Sequence, residues 1–419
     1  MKFGLFYEHQ LPRPYDQDDW DPDAEHKLFK NALDQLELAD QLGFDYVFEV
    51  EHHFLEEYAH STAPEVFLAA ASQRTKRMRL GHGIALMPPR YNHPARVAER
   101  IATLDLVSDG RVEFGTGESA SEMELGGFGV AREEKKLMWE EATRQCVRMM
   151  TETPYPGFEG QFFSMPERNV IPKPLQKPHP PLWVASSRRE TTMVAARLGM
   201  GSLGFAFETP DEAHERVQQY YELVREECVP IGKAINPALA VLSSLMCCPS
   251  DEEAIAKGVE GTQFFSYSLG YYYSPLTGPQ HKPGKVNVYR RFKDTPESER
   301  LGMLQLRRQL GGFGSSGEGP SDTEPEDEVQ RALWRAAQRG GCIGTPDFIR
   351  ETLLKYEAAH LDTMIFVAQS GARKHEDVME SIELFGKQVL PEFQARHKEH
   401  QKWRAEQLAG VEYEVNSSI

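Results

Sequence analysis

The run DYVFEVEHHFLEEY (residues 45–58) joins six strand-like residues directly to Glu51, His52, His53 and Phe54. An imidazole ordinarily titrates near pH ~6.5, so it can both take and return a proton near neutrality. A neighbouring carboxylate can orient it. Adjacent side chains on extended backbone point to opposite sides, so one histidine faces a pocket while the other orients it or binds backbone. Two histidines behind a glutamate at a strand end make Glu51, His52 and His53 the candidate catalytic residues. A metal reading fits poorly. Ligands on one barrel strand call for an HxH spacing, which EHH lacks. His82, His93 and His179 show no pairing pattern, and zinc needs at least three convergent ligands. No metal-binding residue is assigned.

Strands alternating with helices position these groups. KFGLFY reads as a first strand. EHKLFKNALDQLELADQLG reads as a helix with Leu28, Ala32, Leu36 and Ala39 on one face, stopped by Gly43. The pattern repeats through DYVFEV, MRLGHGIALMPP, RVEFGTG, PLWVASS, GSLGFAF, PALAVLSSLMCC and LDTMIFVAQ, which makes eight strands. Their apolar runs imply a parallel sheet covered by helices. A doubly wound dinucleotide fold would carry glycines between its first strand and first helix. That junction, YEHQLPRPYDQDDWDPDAE, has none. The expected architecture is α/β, a (β/α)8 TIM barrel with insertions. One domain covers residues 1–395, with an insertion at 261–338 as a candidate mobile lid. The FEGQFFSMP stretch is a candidate hairpin, and residues 396–419 form a charged tail expected to fray. In such a barrel, chemistry sits at the C-terminal ends of the strands, where EHH falls.

With 47 basic and 64 acidic side chains, the formal charge is −17. That balance repels phosphate backbones and anionic lipid, so neither nucleic acid nor membrane is an expected partner. MKFGLFYEHQLPRP has too short an apolar run for a signal peptide. No stretch reaches the ~18 uncharged apolar residues of a membrane span. The five cysteines lack CxxC spacing and suit a reducing compartment. A cytoplasmic location is expected.

MKFGLF, GFDYVFEVEHHF, GIALMPPRYNHPARVAERIATLDLVSDGRVEFGTG, WVASS, IGTPDFI and ELFGKQVLPEF together resemble the bacterial luciferase-like flavin-dependent monooxygenases. The resemblance follows the whole barrel and covers the 261–338 insertion and the tail only weakly. It implies a homodimer that binds reduced FMN supplied by a separate flavin reductase. It also implies that O2 forms a flavin 4a-(hydro)peroxide, which oxygenates a small organic substrate. In the family the first histidine of EHHF is the acid/base, a role that falls here on His52, with His53 and Glu51 supporting it.

The third strand matches the segment beneath the flavin ring, where members often carry a non-proline cis peptide. The matching bond is Gly83–Ile84, and a cis form is expected there. Gly115, Thr116 and Gly117 close the fourth strand, the two glycines allowing backbone to approach a flat ring. Glu118 stands where luciferase has a phosphate-binding arginine, so the phosphate needs other cations. Ser186, Ser187, Arg188 and Arg189 open a helix whose first amides can bind phosphate, and the arginines supply positive charge. Three alternatives remain: a deazaflavin-dependent oxidoreductase on the same fold, a non-catalytic flavin-binding relative, and a metal-dependent barrel hydrolase. The substrate itself is not legible.

Overall fold

The computed structural model describes residues 1–13, 21–204, 210–274, 281–296, 341–417 and 419. Its strands are β1 (Lys2–Tyr7), β2 (Tyr46–Glu49), β3 (Arg79–His82), β4 (Ala85–Leu86), β5 (Val112–Gly117), β6 (Phe158–Glu159), β7 (Ser164–Met165), β8 (Leu182–Ser186), β9 (Gly201–Gly204), β10 (Leu239–Cys247), β11 (Cys342–Gly344) and β12 (Thr363–Val367). Its helices are α1 (Ala24–Leu42), α2 (Pro64–Arg74), α3 (Pro94–Val107), α4 (Glu122–Phe128), α5 (Lys135–Thr151), α6 (Arg189–Arg197), α7 (Pro210–Glu226), α8 (Asp251–Tyr273), α9 (Val288–Asp294), α10 (Pro346–Ala358), α11 (His375–Gln388) and α12 (Leu390–Gln407).

Parallel pairing runs β1–β2–β3–β5–β8–β9–β10–β12 and returns to β1, closing the eight-stranded barrel expected from the sequence. Along each strand the apolar residues alternate between two buried faces. Phe6, Phe48, Trp183, Leu242 and Ile365 fill the interior. Their neighbours Leu5, Val47, Val184, Val241 and Phe366 pack under the helices. Both faces are covered, so the strands read as apolar runs. Each aromatic ring so buried contributes about 1.5–3 kcal/mol. Gly81 makes room for one of them, since a Cβ there would lie 2.2 Å from the Phe48 ring.

The predicted face of α1 is buried at Leu28, Ala32, Leu36 and Ala39. Gly43 ends the helix with φ 102°, a left-handed conformation open to glycine at little cost. The candidate hairpin is the antiparallel pair β6–β7.

Four details depart from the reading of the sequence. The third strand breaks after His82, and the described cis bonds all precede proline (Thr153–Pro154, Ile171–Pro172, Lys177–Pro178). The Gly83–Ile84 bond is therefore trans, and the expected non-proline cis peptide is corrected. The break is held by β2 instead: Gly83 N–H donates to Glu49 O at 2.6 Å, and Glu51 N–H donates to Ile84 O at 3.0 Å.

Second, β11 escaped notice because it is only three residues long and pairs with the end of β10 beyond the barrel. Third, the insertion boundary at 261 falls inside α8, whose aromatic residues extend the interior cluster over the barrel mouth. Most of the proposed lid, residues 275–280 and 297–340, lies outside the described residues.

Fourth, the tail does not fray. On the floor of the barrel, buried Asp362 accepts from Tyr221 (3.0 Å) and from Leu239 N–H (2.8 Å). It also pairs with His400 and Arg404 of α12 at 2.8 and 3.2 Å. This is the N-terminal face of the strands, where such a network serves stability.

Candidate active site

β2 ends at Glu49, and the chain carries Glu51, His52 and His53 into the rim of the barrel. The two imidazole rings bond to different carboxylates. His52 is buried, with Nδ1 2.9 Å from Glu124 Oε1. The hydroxyl of Tyr273, the last residue of α8, lies 3.2 Å from Nε2 and 3.4 Å from Nδ1. His53 instead places Nε2 3.2 Å from Glu51 Oε1.

Glu51 is fixed in turn by Leu86 N–H (2.7 Å) and by the Asn92 amide (2.8 Å). Arg100 bonds to Asn92 and reaches Glu65 at 2.7 Å. A hydrogen-bonded chain thus leads from His53 outward between the helices. Glu124, fully buried on α4, also accepts from His53 N–H at 2.9 Å and from the Ser119 hydroxyl.

These partners set the electrostatics of His52. Burial works against a charged ring. Glu124, through charge and then through the hydrogen bond, outweighs it together with Glu8 and Glu51. The imidazole is lifted above its ordinary value and holds a proton readily. Glu8 belongs to the same rim, since the Tyr58 hydroxyl donates to it at 2.6 Å and the Tyr58 ring lies 5.8 Å from that of His52.

Backbone strain gathers in the same place. Non-glycine residues with positive φ include His9 (53°), Phe54 (66°), Glu56 (35°) and Ser119 (63°), all in loops at the C-terminal ends of β1, β2 and β5. Such conformations cost roughly 1–3 kcal/mol each and persist where surrounding structure enforces them, typically at functional sites.

Below the rim, Phe6, Phe48, Leu203, Gly204, Leu242 and Ile365 line a small apolar pocket. Its walls come from β1 and β2 on one side and from β9, β10 and β12 on the other. Gly204 pairs with Ser186, so the serine corner adjoins the β9 wall of this pocket. Gly83, Ile84 and Gly117 also face inward: a Cβ on Gly83 would lie 3.0 Å from Phe48 Cβ, and one on Gly117 would meet Ile84 at 2.4 Å.

Other predicted residues do not converge there. The Thr116 hydroxyl bonds to the Trp183 carbonyl (3.1 Å) and the Trp139 indole (3.0 Å), which turns it towards α5. Gly115 differs: a Cβ there would lie 1.9 Å from the His82 carbonyl oxygen and 3.2 Å from Leu203 of the pocket wall, so this glycine permits strand contact on the interior side. Arg189 is exposed and faces Gln219 (3.1 Å) and Glu215 (3.5 Å) of α7.

The serine corner is polar and cationic. Buried Ser186 accepts from Ser202 at 2.8 Å. Ser187 and Arg188 are exposed before α6. Arg216 of α7, buried, reaches Thr192 at 3.4 Å. Its NH1 would stand 3.3 Å from a Cβ on Gly204. Burial, with the charge of Arg189, brings its guanidinium down to about 10. Glu118, the acid in an awkward position, is paired with Lys135 at 2.6 Å. Burial lowers the Lys135 ammonium, Glu118 raises it, and Arg188 lowers it further.

The sequence reading missed Glu124, Tyr273, Arg216 and Lys135. The only available signal was their acidic, phenolic or basic type on elements that follow barrel strands. His93 caps α3, and His179 accepts from Lys233 N–H. Among the described residues no three His, Cys, Asp or Glu side chains gather to hold a metal ion, and no helix is long and apolar enough to cross a membrane.

A parallel barrel with a buried acid–imidazole pair at its C-terminal rim defines a class of barrel enzyme. The chain belongs to the luciferase-like monooxygenase family, whose model matches residues 1–363. It is 34% identical over 199 residues to the uncharacterized protein y4wF of Sinorhizobium fredii (strain NBRC 101917 / NGR234), covering 48% of this chain and 54% of that protein. Over 276 residues it is 25% identical to the oxygenase component of the flavin-dependent trigonelline monooxygenase of Acinetobacter baylyi, covering 64% and 71%. The chain spans about half the length of the first of these curated relatives.

Among solved structures, the oxygenating constituent of 3,6-diketocamphane monooxygenase from Pseudomonas putida, in complex with FMN, shares the fold. It has a TM-score of 0.64 at 20% identity, with 93% of this chain and 98% of that one covered. The coenzyme F420-dependent tetrahydromethanopterin reductase of Methanopyrus kandleri shares it too, with a TM-score of 0.61 at 18% identity and 94% and 99% covered.

Proposed function

We propose that this chain is the oxygenase of a two-component, FMN-dependent monooxygenase that inserts oxygen from O2 into a small organic substrate. The observation that carries the reading is the buried Glu124–His52 pair at the rim of an apolar cavity. The residues fit the cofactor. The apolar lining matches a flat ring in chemistry, and Ser186, the Arg189 and Glu190 amides that open α6, Arg216 and Arg188 suit a phosphate on the opposite side of the mouth. Bound reduced flavin would supply the activation of O2. His52 would hold or return the proton at the reacting oxygen, Glu124 would keep the ring oriented, and the His53–Glu51 pair would brace the same loop. The reductase supplying the flavin is a separate protein in this reading, supported by the relative named as an oxygenase component. The working form is a homodimer.

The test is anaerobic titration with reduced FMN, then admission of air, with oxygen uptake and flavin absorbance recorded. Binding followed by oxygen uptake that collapses in His52→Ala supports the proposal; no binding overturns it. A second reading, hydride transfer with a deazaflavin, is supported by the F420-dependent neighbour. Binding of reduced F420 without oxygen uptake would select it.

A further inference from the structure

We propose that Ser119, in the turn between β5 and α4, is a positioning residue: its hydroxyl pins one oxygen of Glu124, so that the other stays aimed at His52. Its importance to catalysis rests on His52 being the proton-handling group of the proposed function.

The two oxygens of Glu124 have different partners. Oε1 accepts from His53 N–H and lies against His52 Nδ1, both at 2.9 Å. Oε2 accepts from the Ser119 hydroxyl. A carboxylate can only accept, so the hydroxyl hydrogen is committed to Glu124. The hydroxyl oxygen in turn accepts from Ser121 N–H at 3.2 Å. Bonds at Oε1 alone would leave the carboxylate free to swing about that atom. The bond at Oε2 fixes its plane.

Ser119 takes this place in a strained conformation. Its φ is 63°, which a non-glycine residue keeps only where its surroundings over-determine it. Every residue of the turn is tied down. The Lys135 ammonium, from α5, donates to Glu118 Oε1 at 2.6 Å and to the Ser119 carbonyl at 2.8 Å. Arg132 donates to the Ala120 carbonyl at 3.0 Å. The Ser121 hydroxyl donates to the Tyr272 carbonyl of α8 at 3.2 Å. Ser119 thus turns its carbonyl to the Glu118–Lys135 pair and its hydroxyl to the acid–imidazole pair. Glycine would make the same turn at little cost. What the strain secures is the hydroxyl.

Ser119→Gly separates this role from a merely structural one. A residue that only shapes the turn is replaced by glycine at φ 63° without loss, whereas a positioning residue is not. NMR of the flavin-free protein gives two readouts. The His53 amide proton, bonded to Oε1, should shift upfield as that bond loosens. The His52 protonation constant should fall about fivefold, equivalent to about 1 kcal/mol, because the carboxylate turns away from Nδ1. The other groups facing His52 stay in place: Glu8 and Glu51 through charge, the Tyr273 hydroxyl and the Tyr58 ring through contact.

In a Glu124→Gln background the same substitution should leave the His52 titration unchanged. A His53 amide or a His52 titration that overlays the wild type in Ser119→Gly overturns the proposal. So does a shift of equal size in the Glu124→Gln background, since Ser119 would then act without Glu124. These measurements contain no flavin, so their failure is distinct from failure of the monooxygenase reading, which shows as absent FMN binding or oxygen uptake.

Discussion

Replacing Glu124 by glutamine is the most direct probe of the rim. The amide keeps the shape of the carboxylate and can still accept from His52 Nδ1 and His53 N–H, both 2.9 Å away in the native protein. What is lost is charge. Hydrogen bonds to charged groups are worth about 1.5–3 kcal/mol, and Glu124 has no solvent to screen it. The protonation constant of His52 should therefore fall by roughly tenfold to a hundredfold, because the burial that Glu124 opposes is left unopposed. Histidine resonances of the flavin-free variant, followed as a function of pH, measure this directly. The acid limb of oxygen uptake with reduced FMN should move to lower pH in parallel. A titration of His52 in Glu124→Gln that overlays the wild type would refute the account of the site, since a fully buried carboxylate at 2.9 Å cannot be electrostatically silent.

Three further outcomes follow. Because the folded state raises the His52 value above its ordinary 6.5, the pair's contribution to stability is complete below about pH 6.5 and fades as pH rises through the higher folded value. Denaturant unfolding across that range should show the slope in the wild type and not in His52→Ala. Arg216→Met should weaken FMN binding about tenfold or more while leaving riboflavin nearly unchanged; equal losses for both, measured by fluorescence quenching, would place the phosphate elsewhere. Asp362→Ala strands Arg404 and His400 in the barrel floor and should cost about 3–5 kcal/mol in urea unfolding, with FMN affinity retained because the change lies at the far end of the strands.

The eight strands and the histidine pair were legible because each rests on local signals. Apolar runs four to nine residues long, a glycine stop after α1 and a proline start to α2 need no knowledge of the rest of the chain. What stayed hidden depends on residues far apart in sequence. Glu124 is 72 positions from His52 and Tyr273 is 221, and nothing in EMELGGF or GYYYSP marks either as its partner. Arg216 looks like any helix cation until the fold turns it inward towards Thr192. Thr116 misled for the opposite reason. A GTG at a strand end is the same string whether it faces a ring or a helix, and alternation from Phe114, which packs outward, assigns Thr116 to the helix side. The tail read as a frayed charged helix because its buried Arg404 and His400 find their counter-charge, Asp362, only in three dimensions.

Glu56 and Glu57 follow the histidines directly in the chain, yet they serve the insertion, gripping Gly284, Val288 and Tyr289. The added segment is consequently no cassette to be exchanged at will between relatives. A chimaera that imports α8 and α9 without these two glutamates would arrive with its anchor missing, and one that keeps the glutamates but discards the segment would leave Glu57 with the Arg13 N–H but without the two amides of α9.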